Sequence, residues 1–388
     1  MPGTLFSAQS KFLSTGKYFN LQSSLDADGS SVRLSCCRFE ASPEDKRVGK
    51  TIEVVFLTGW NESYIKYWEL FRDLTSAGFN VTTMDHRSQG LSGRVVEPSA
   101  MSFIIDFDSY VVDAEKLVHH VKSRFSPSGP IALVAHSMGG LVSMKLSAFF
   151  PNAFLCVVCS APMIQFKTAP FPWGFAGAMS HLFCALGWGR SFAIGFPKKG
   201  WEPENMALPV GTTHDEERCK CWMMMQREHP KIVLAGPSNQ WIRASWRGCN
   251  SFMKYFFGKS NFPIPVLLFR AGKDRFVHES SQDTFLKNNG SKTRVVSFPN
   301  AFHELFLEKD DVRGVAVEEI KKFIVGVGQG ERGMLGETVV VGEKEEEEEE
   351  GVEETKRSGG AGLAGVTVTL SALVLGVLVA RVVARREK

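Results

Sequence analysis

Ile131-Ala132-Leu133-Val134-Ala135-His136-Ser137-Met138-Gly139-Gly140 is the stretch on which the reading of this chain turns. An apolar, β-prone run leads into a serine flanked by small residues, and a helix-like segment, Leu141 to Phe150, follows. Strand, sharp turn and helix in that order lift a serine hydroxyl above the edge of a sheet, the nucleophile-elbow arrangement. Such a turn tolerates little bulk two residues to either side of the serine. Gly139 meets that demand, and Ala135 adds only a methyl group where glycine is usual. The helix that starts here aims free N–H groups and the positive end of its dipole at developing negative charge.

A serine hydroxyl is a weak nucleophile until an imidazole takes its proton and an acid orients that imidazole. In an α/β-hydrolase fold, a mostly parallel sheet flanked by helices, the chain order is Ser, then Asp or Glu, then His. Phe262 to Arg270 reads as a buried strand closed by the turn Ala271-Gly272-Lys273-Asp274, and Thr293 to Phe298 reads as a second strand leading into Pro299-Asn300-Ala301-Phe302-His303-Glu304. Asp274 and His303 therefore fall just past the C-terminal ends of strands, where open α/β sheets build their sites. Taken alone, each reads as a turn-capping Asp or a surface His; in the required order after Ser137 they form a catalytic triad. Upstream, the strand Ile52 to Leu57 closes on Thr58-Gly59-Trp60-Asn61-Glu62. The N–H of Met138, which follows the nucleophile, and that of Trp60 are the expected oxyanion-hole donors.

Asn61-Glu62-Ser63-Tyr64-Ile65-Lys66-Tyr67, Asp85-His86-Arg87-Ser88-Gln89-Gly90, Ala135-His136-Ser137-Met138-Gly139-Gly140 and Ala301-Phe302-His303-Glu304 together resemble the monoacylglycerol lipase and lysophospholipase family of serine α/β-hydrolases. The resemblance runs from about residue 54 to about residue 325 and is closest to the bacterial lysophospholipase branch, which also carries Ala at the first elbow position. It implies an α/β-hydrolase fold, no cofactor, and hydrolysis of single-chain lipid esters, with Ser137, Asp274 and His303 in the roles read above. Ser88 and Ala271 stand where the family usually has glycine, which bears on loop geometry rather than on a reacting group. Gly236-Pro237-Ser238-Asn239-Gln240-Trp241 also resembles a family segment and is expected to position the substrate head group.

Other eye-catching residues are expected to be structural. The side chain of His136 should point away from that of Ser137, and His86 and Arg87 should knit the neighbouring loop. Cys156-x-x-Cys159 lies in a strand-like run that suits a core, and Cys219-x-Cys221 with His214 is too weak a pattern to assign a metal. The 388 residues are 44% hydrophobic and 22% charged, an ordinary globular balance, and a formal charge of +3 gives no reason to expect nucleic acid as a partner. Eight cysteines without a regular framework fit free thiols in a reducing compartment.

Between the elbow helix and the Asp274 strand the composition changes. Phe166, Phe171, Trp173 and Phe175 open an aromatic-rich segment, Trp222-Met223-Met224-Met225 continues it, and Trp241 and Trp246 close it. A helical cap over residues 163–260 is expected here, its Met and aromatic side chains suited to packing and, for a subset, to contact with a flexible acyl chain.

The expected organisation is a loosely ordered lead-in (1–30), the hydrolase domain (31–327), an acidic disordered linker (328–358), a transmembrane helix (359–380) and a basic tail (381–388). Glu345 to Glu350 is an unbroken acidic run with no means of forming a core. Ser358 to Ala380 carries no charge and would span roughly 34 Å as a helix, against a hydrocarbon thickness of about 30 Å. With Arg381, Arg385, Arg386 and Lys388 behind it, the segment reads as a tail anchor that leaves the catalytic domain facing the cytosol. A peripheral amphipathic segment is the alternative. The moderate hydrophobicity leans towards peroxisomal, mitochondrial or plastid outer membranes over the endoplasmic reticulum. The expected activity is a serine carboxylic-ester hydrolase acting on lysophospholipid or monoacylglycerol. Two alternatives stay open: a transacylase that passes the acyl group to an alcohol, and a catalytically silent tail-anchored adaptor.

Overall fold

β3 (Glu53–Leu57) and β6 (Ile131–His136) lie side by side and parallel near the middle of a nine-stranded sheet. Their side chains alternate between two separate cores: Val54, Phe56, Ala132 and Val134 enter one, and Val55, Leu57, Leu133 and Ala135 enter the other. A strand covered on both faces reads as a continuous apolar run, and that is how both strands look in sequence. The computed structural model describes residues 2–26, 28–42, 52–196, 211–256 and 262–342.

The remaining strands are β1 (Lys17–Gln22), β2 (Arg33–Phe39), β4 (Asn80–Met84), β7 (Cys156–Ser160), β9 (Val266–Ala271), β10 (Thr293–Phe298) and β11 (Thr338–Val340), in the order β1-β2-β4-β3-β6-β7-β9-β10-β11. β2 is antiparallel to both neighbours, and every pairing from β4 to β11 is parallel. A second, two-stranded sheet joins β5 (Met101–Ser102) to β8 (Gly236–Pro237). Helices α2 (Trp68–Ser76) and α9 (Asp310–Gly328) cover one face of the large sheet, and α3 (Asp108–Arg124) and α4 (Met138–Phe149) cover the other. This is the α/β-hydrolase architecture that the sequence led us to expect.

Among the described residues between β7 and β9 are the helices α5 (Trp173–Ala185), α6 (Glu216–Glu228) and α7 (Asn239–Phe256), all inside the span expected for the cap. α5 packs on α7 through Gly177, where a Cβ would lie 2.3 Å from the indole of Trp246. Only a residue without a side chain lets the two helices come this close.

Two boundaries differ from expectation. The lead-in is not loose: α1 (Pro2–Leu13) packs Leu5, Phe6 and Phe12 against the core, and β1 extends the sheet. The Nε2 of Gln9 donates to the Ile65 carbonyl at 2.8 Å, and the thiol of Cys221 on α6 meets Gln9 Oε1 at 3.1 Å, so α1 braces the cap. Leu5, Phe6, Phe12 and Leu13 recur at helical spacing, a signal diluted by the Gly and Ser around them. At the other end the domain does not stop at 327. Residues to 342 continue it, with β11 closing the free edge of β10 and Met334, Leu335, Val339 and Val341 packed on the core. Among the described residues no helix is long and apolar enough to cross a membrane. The expected span 359–380, the basic tail 381–388 and the acidic run all lie outside the described residues.

Candidate active site

Ser137 sits between β6 and α4 with φ 49° and ψ −113°, a backbone conformation that an L-residue adopts only under constraint. The constraint is visible. Its N–H donates to the Ser160 carbonyl, and its own carbonyl accepts from the N–H groups of Gly140 and Met163, each at 2.9 Å. The turn is wedged against β3: a Cβ on Gly139 would lie 2.3 Å from the Leu57 carbonyl oxygen and 2.5 Å from that of Thr58. Met138, as the first residue of α4, has no intrahelical acceptor for its N–H.

Asp274 and His303 meet past the ends of β9 and β10. Asp274 Oδ2 accepts from His303 Nδ1 at 2.6 Å, while Oδ1 accepts from the N–H groups of Phe276 (2.7 Å) and Val277 (3.1 Å). Gly272 lets the two loops touch, since a Cβ there would lie 2.2 Å from the Pro299 carbonyl oxygen. Burial opposes ionisation of both side chains, yet their mutual hydrogen bond and charge prevail. The Asp274 carboxyl is held below its usual range and the His303 imidazole is raised above its own, with Glu304 and Glu62 adding to the latter. His303 also packs on the elbow, its ring 4.6 Å from that of His136, the residue before Ser137.

The Gly59–Glu62 turn is fixed from several sides. Gln89 Nε2 donates to the Gly59 carbonyl at 2.7 Å, and the Trp60 indole N–H donates to Ser102 Oγ at 2.9 Å. Asn61, at φ 61°, accepts from the Leu234 N–H at 3.0 Å through its side chain. Trp60 packs 5.2 Å from Trp241 of α7, and Phe166 bridges Trp241 to Trp173 of α5, so an aromatic layer runs from this turn into the cap. The start of α6 is tied to the histidine loop through His214 and Glu308 (2.8 Å) and through the Glu304 N–H to the Thr212 carbonyl (2.9 Å).

The residues set aside have structural partners. Arg87 is fully buried between Asp113 (2.6 Å) and Asp26 (2.8 Å) and anchors the chain after β1; His86 faces the Thr58 carbonyl at 3.2 Å and is driven down to a pKa of about 4 by burial. Sequence reading missed a buried ionic cluster. The ammonium of Lys66 donates to Glu62 at 2.5 Å and Glu304 at 2.6 Å, and Tyr67 Oη donates to Glu62 at 2.6 Å. Glu62, His136 and Glu304 bring ligand-type atoms within 4.8 Å of one another, but Lys66 already supplies the cation between both carboxylates. The four-residue spacing of Glu62 and Lys66 was the available signal; Glu304, 238 residues from Lys66, carried none.

The chain can be compared with known proteins from this geometry outward. It is 29% identical over 305 residues to lysophospholipase L2 of Escherichia coli, covering 74% of this chain and 82% of that protein. It is 28% identical over 273 residues to a monoacylglycerol lipase of Mycolicibacterium smegmatis, covering 70% and 87%. Its fold matches that of a soluble variant of monoglyceride lipase from Saccharomyces cerevisiae with a TM-score of 0.60 at 18% identity, over 80% of this chain and 94% of the other. Residues 50–310 match the family model described as Serine aminopeptidase, S33. The chain belongs to that family and is a serine hydrolase of the monoacylglycerol lipase and lysophospholipase type.

Proposed function

We propose that this chain cleaves carboxylic esters of single-chain lipids, lysophospholipid or monoacylglycerol, through Ser137, His303 and Asp274. The observation that carries the reading is the strained Ser137 turn, with the His303 ring packed 4.6 Å from that of the preceding residue, His136, and its Nδ1 hydrogen-bonded to the Asp274 carboxylate at 2.6 Å. His303 Nε2 takes the Ser137 proton as Oγ attacks the ester carbonyl. The N–H groups of Trp60 and Met138 receive the oxyanion. The C–O bond breaks as His303 returns the proton to the leaving glycerol oxygen, and water then attacks the acyl-enzyme to release the fatty acid. Asp274 fixes the tautomer and stabilises the imidazolium. The aromatic layer above Trp60, and the exposed apolar side chains Phe171, Phe175, Leu182 and Leu186 around α5, support an acyl chain as the group accommodated.

The uncharged run Ser358 to Ala380 and the bases after it support a tail anchor with the catalytic domain on the cytosolic side, in a peroxisomal, mitochondrial or plastid outer membrane. A tether beside a bilayer raises the encounter rate with substrates that partition into it. The deciding experiment offers lysophosphatidylcholine and monoacylglycerol side by side to the full-length chain in detergent, with Ser137→Ala as control. Fatty acid released by the parent and reduced by about 10⁶ in the variant is the expected result. Equal rates from both proteins refute the reading.

A further inference from the structure

Lys66 and its two carboxylates touch no reacting atom, yet they join the two halves of the site. One oxygen of Glu62 accepts from Lys66, and the other accepts from the Gly59 N–H at 2.5 Å and from Tyr67. Gly59 immediately precedes Trp60, the expected oxyanion donor. Glu304, the second acceptor of Lys66, immediately follows His303. Lys66, Glu62 and Glu304 are each less than a tenth exposed. Burying three charges is expensive, and apolar side chains of similar volume usually serve packing at least as well. The location of the cluster therefore calls for a role other than filling space.

We propose that Lys66 is a positioning residue that clamps the Gly59–Glu62 turn to the His303–Glu304 loop, so that the oxyanion donor and the imidazole keep one spacing. The inference rests on the Ser137 mechanism proposed above. Without the ammonium, two buried carboxylates face each other beside His136, and the strain is relieved in one of two ways. Either the turn moves, or Glu304 takes a proton. A place for that proton exists: Glu304 Oε2 and His136 Nε2 lie 3.5 Å apart, and neither has a hydrogen-bond partner among the described residues. Burial already pushes the Glu304 pKa up to about 7 against the pull of Lys66. The groups facing Glu304 are Glu62 from the turn, Lys66 and Tyr67 from the single helical turn Tyr64–Tyr67 that follows it, His136 from β6, His303 beside it and Cys219 from α6.

The test uses the full-length chain and 4-nitrophenyl butyrate, comparing the parent with Ser137→Ala, Lys66→Met, Lys66→Arg and Glu304→Gln, each checked by thermal melting. A displacement of about 1 Å in a catalytic group costs on the order of 10²-fold. Lys66→Met should lose about that factor in kcat with KM within about threefold, and Lys66→Arg, which restores the cation, should recover most of it. Folded Lys66→Met with kcat within about threefold of the parent overturns the proposal. So does equal impairment of the Met and Arg variants, which marks a volume defect. If Lys66→Met does not fold, Glu304→Gln decides. Removing that negative charge should lower kcat and move the acid limb of kcat/KM to lower pH, and an unchanged limb and kcat overturn the clamp. A parent no more active than Ser137→Ala refutes the mechanism itself, whereas an active parent with an unaffected Lys66→Met refutes this inference alone.

Discussion

Replacing Gly139 by alanine adds one methyl group, and the structure says where it goes. The new Cβ would stand 2.3 Å from the Leu57 carbonyl oxygen, 2.5 Å from that of Thr58 and 2.6 Å from the Leu57 carbonyl carbon. All three atoms belong to the backbone of β3 and the turn after it, so no side chain can swing aside. Ordinary contact needs about 1 Å more, and the elbow and the Gly59–Glu62 turn, which carries the proposed oxyanion donor, must part by roughly that distance. Overpacking of this kind costs about 1–3 kcal/mol of stability. The same displacement separates the Met138 and Trp60 N–H groups, and about 1 Å of misplacement costs on the order of 10²-fold in rate. Steady-state hydrolysis of a soluble ester, with thermal melting and the rate of fluorophosphonate labelling, reads both effects. Gly174→Ala is the matched control: its Cβ would meet no atom within 4 Å, and it lies on α5. Helix propensity favours that change by less than the value of about 1 kcal/mol for a helix interior, since Gly174 lies in the first turn, and activity should be unaltered. The reasoning fails if folded Gly139→Ala turns over within about threefold of the parent.

Asp274→Asn removes the negative charge that helps to raise His303 and leaves only a neutral amide beside its Nδ1. As the proposed base His303 works only as neutral imidazole, so the acid limb of kcat/KM should lie above the usual imidazole range in the parent and move to lower pH in the variant, with the plateau lowered by about 10⁴; a limb that stays in place contradicts the pairing. Arg87→Met leaves the buried Asp113 and Asp26 without their cation and should cost about 3–5 kcal/mol, seen as a lower melting temperature and earlier proteolysis after β1. A chain ending at residue 342 should melt as the full-length domain does. One ending at Gly328 loses β11 and the cover of Met334, Leu335 and Val339, and should melt lower and aggregate through the bared edge of β10; equal melting of the two would place the domain boundary at 328 after all.

What could be read from the sequence follows from how far apart the interacting residues lie. The sharp turn at Ser137 was legible because its whole requirement is local: strand, small residues and helix within about twenty positions. That Asp274 and His303 meet was legible because each sits at the end of an apolar run, and a parallel sheet brings such ends to one edge whatever the loops do. The bracing of the cap by α1 and the closure of β10 by β11 were hidden for a different reason. Both elements are short and half-exposed, and they are stabilised by partners that sequence does not name, Ile65 and Cys221 for Gln9 and the free ladder of β10 for Val339. The Glu62–Lys66–Glu304 cluster shows the limit most sharply. Glu62 and Lys66 look like an ordinary surface pair at i and i+4, worth a few tenths of a kcal/mol. Only the fold, by setting Glu304 against the same ammonium from the far end of the domain and excluding water, turns that pair into a buried triad. Its energetic weight comes from desolvation, and desolvation is a property of everything that surrounds a residue, which no window of sequence around Lys66 contains.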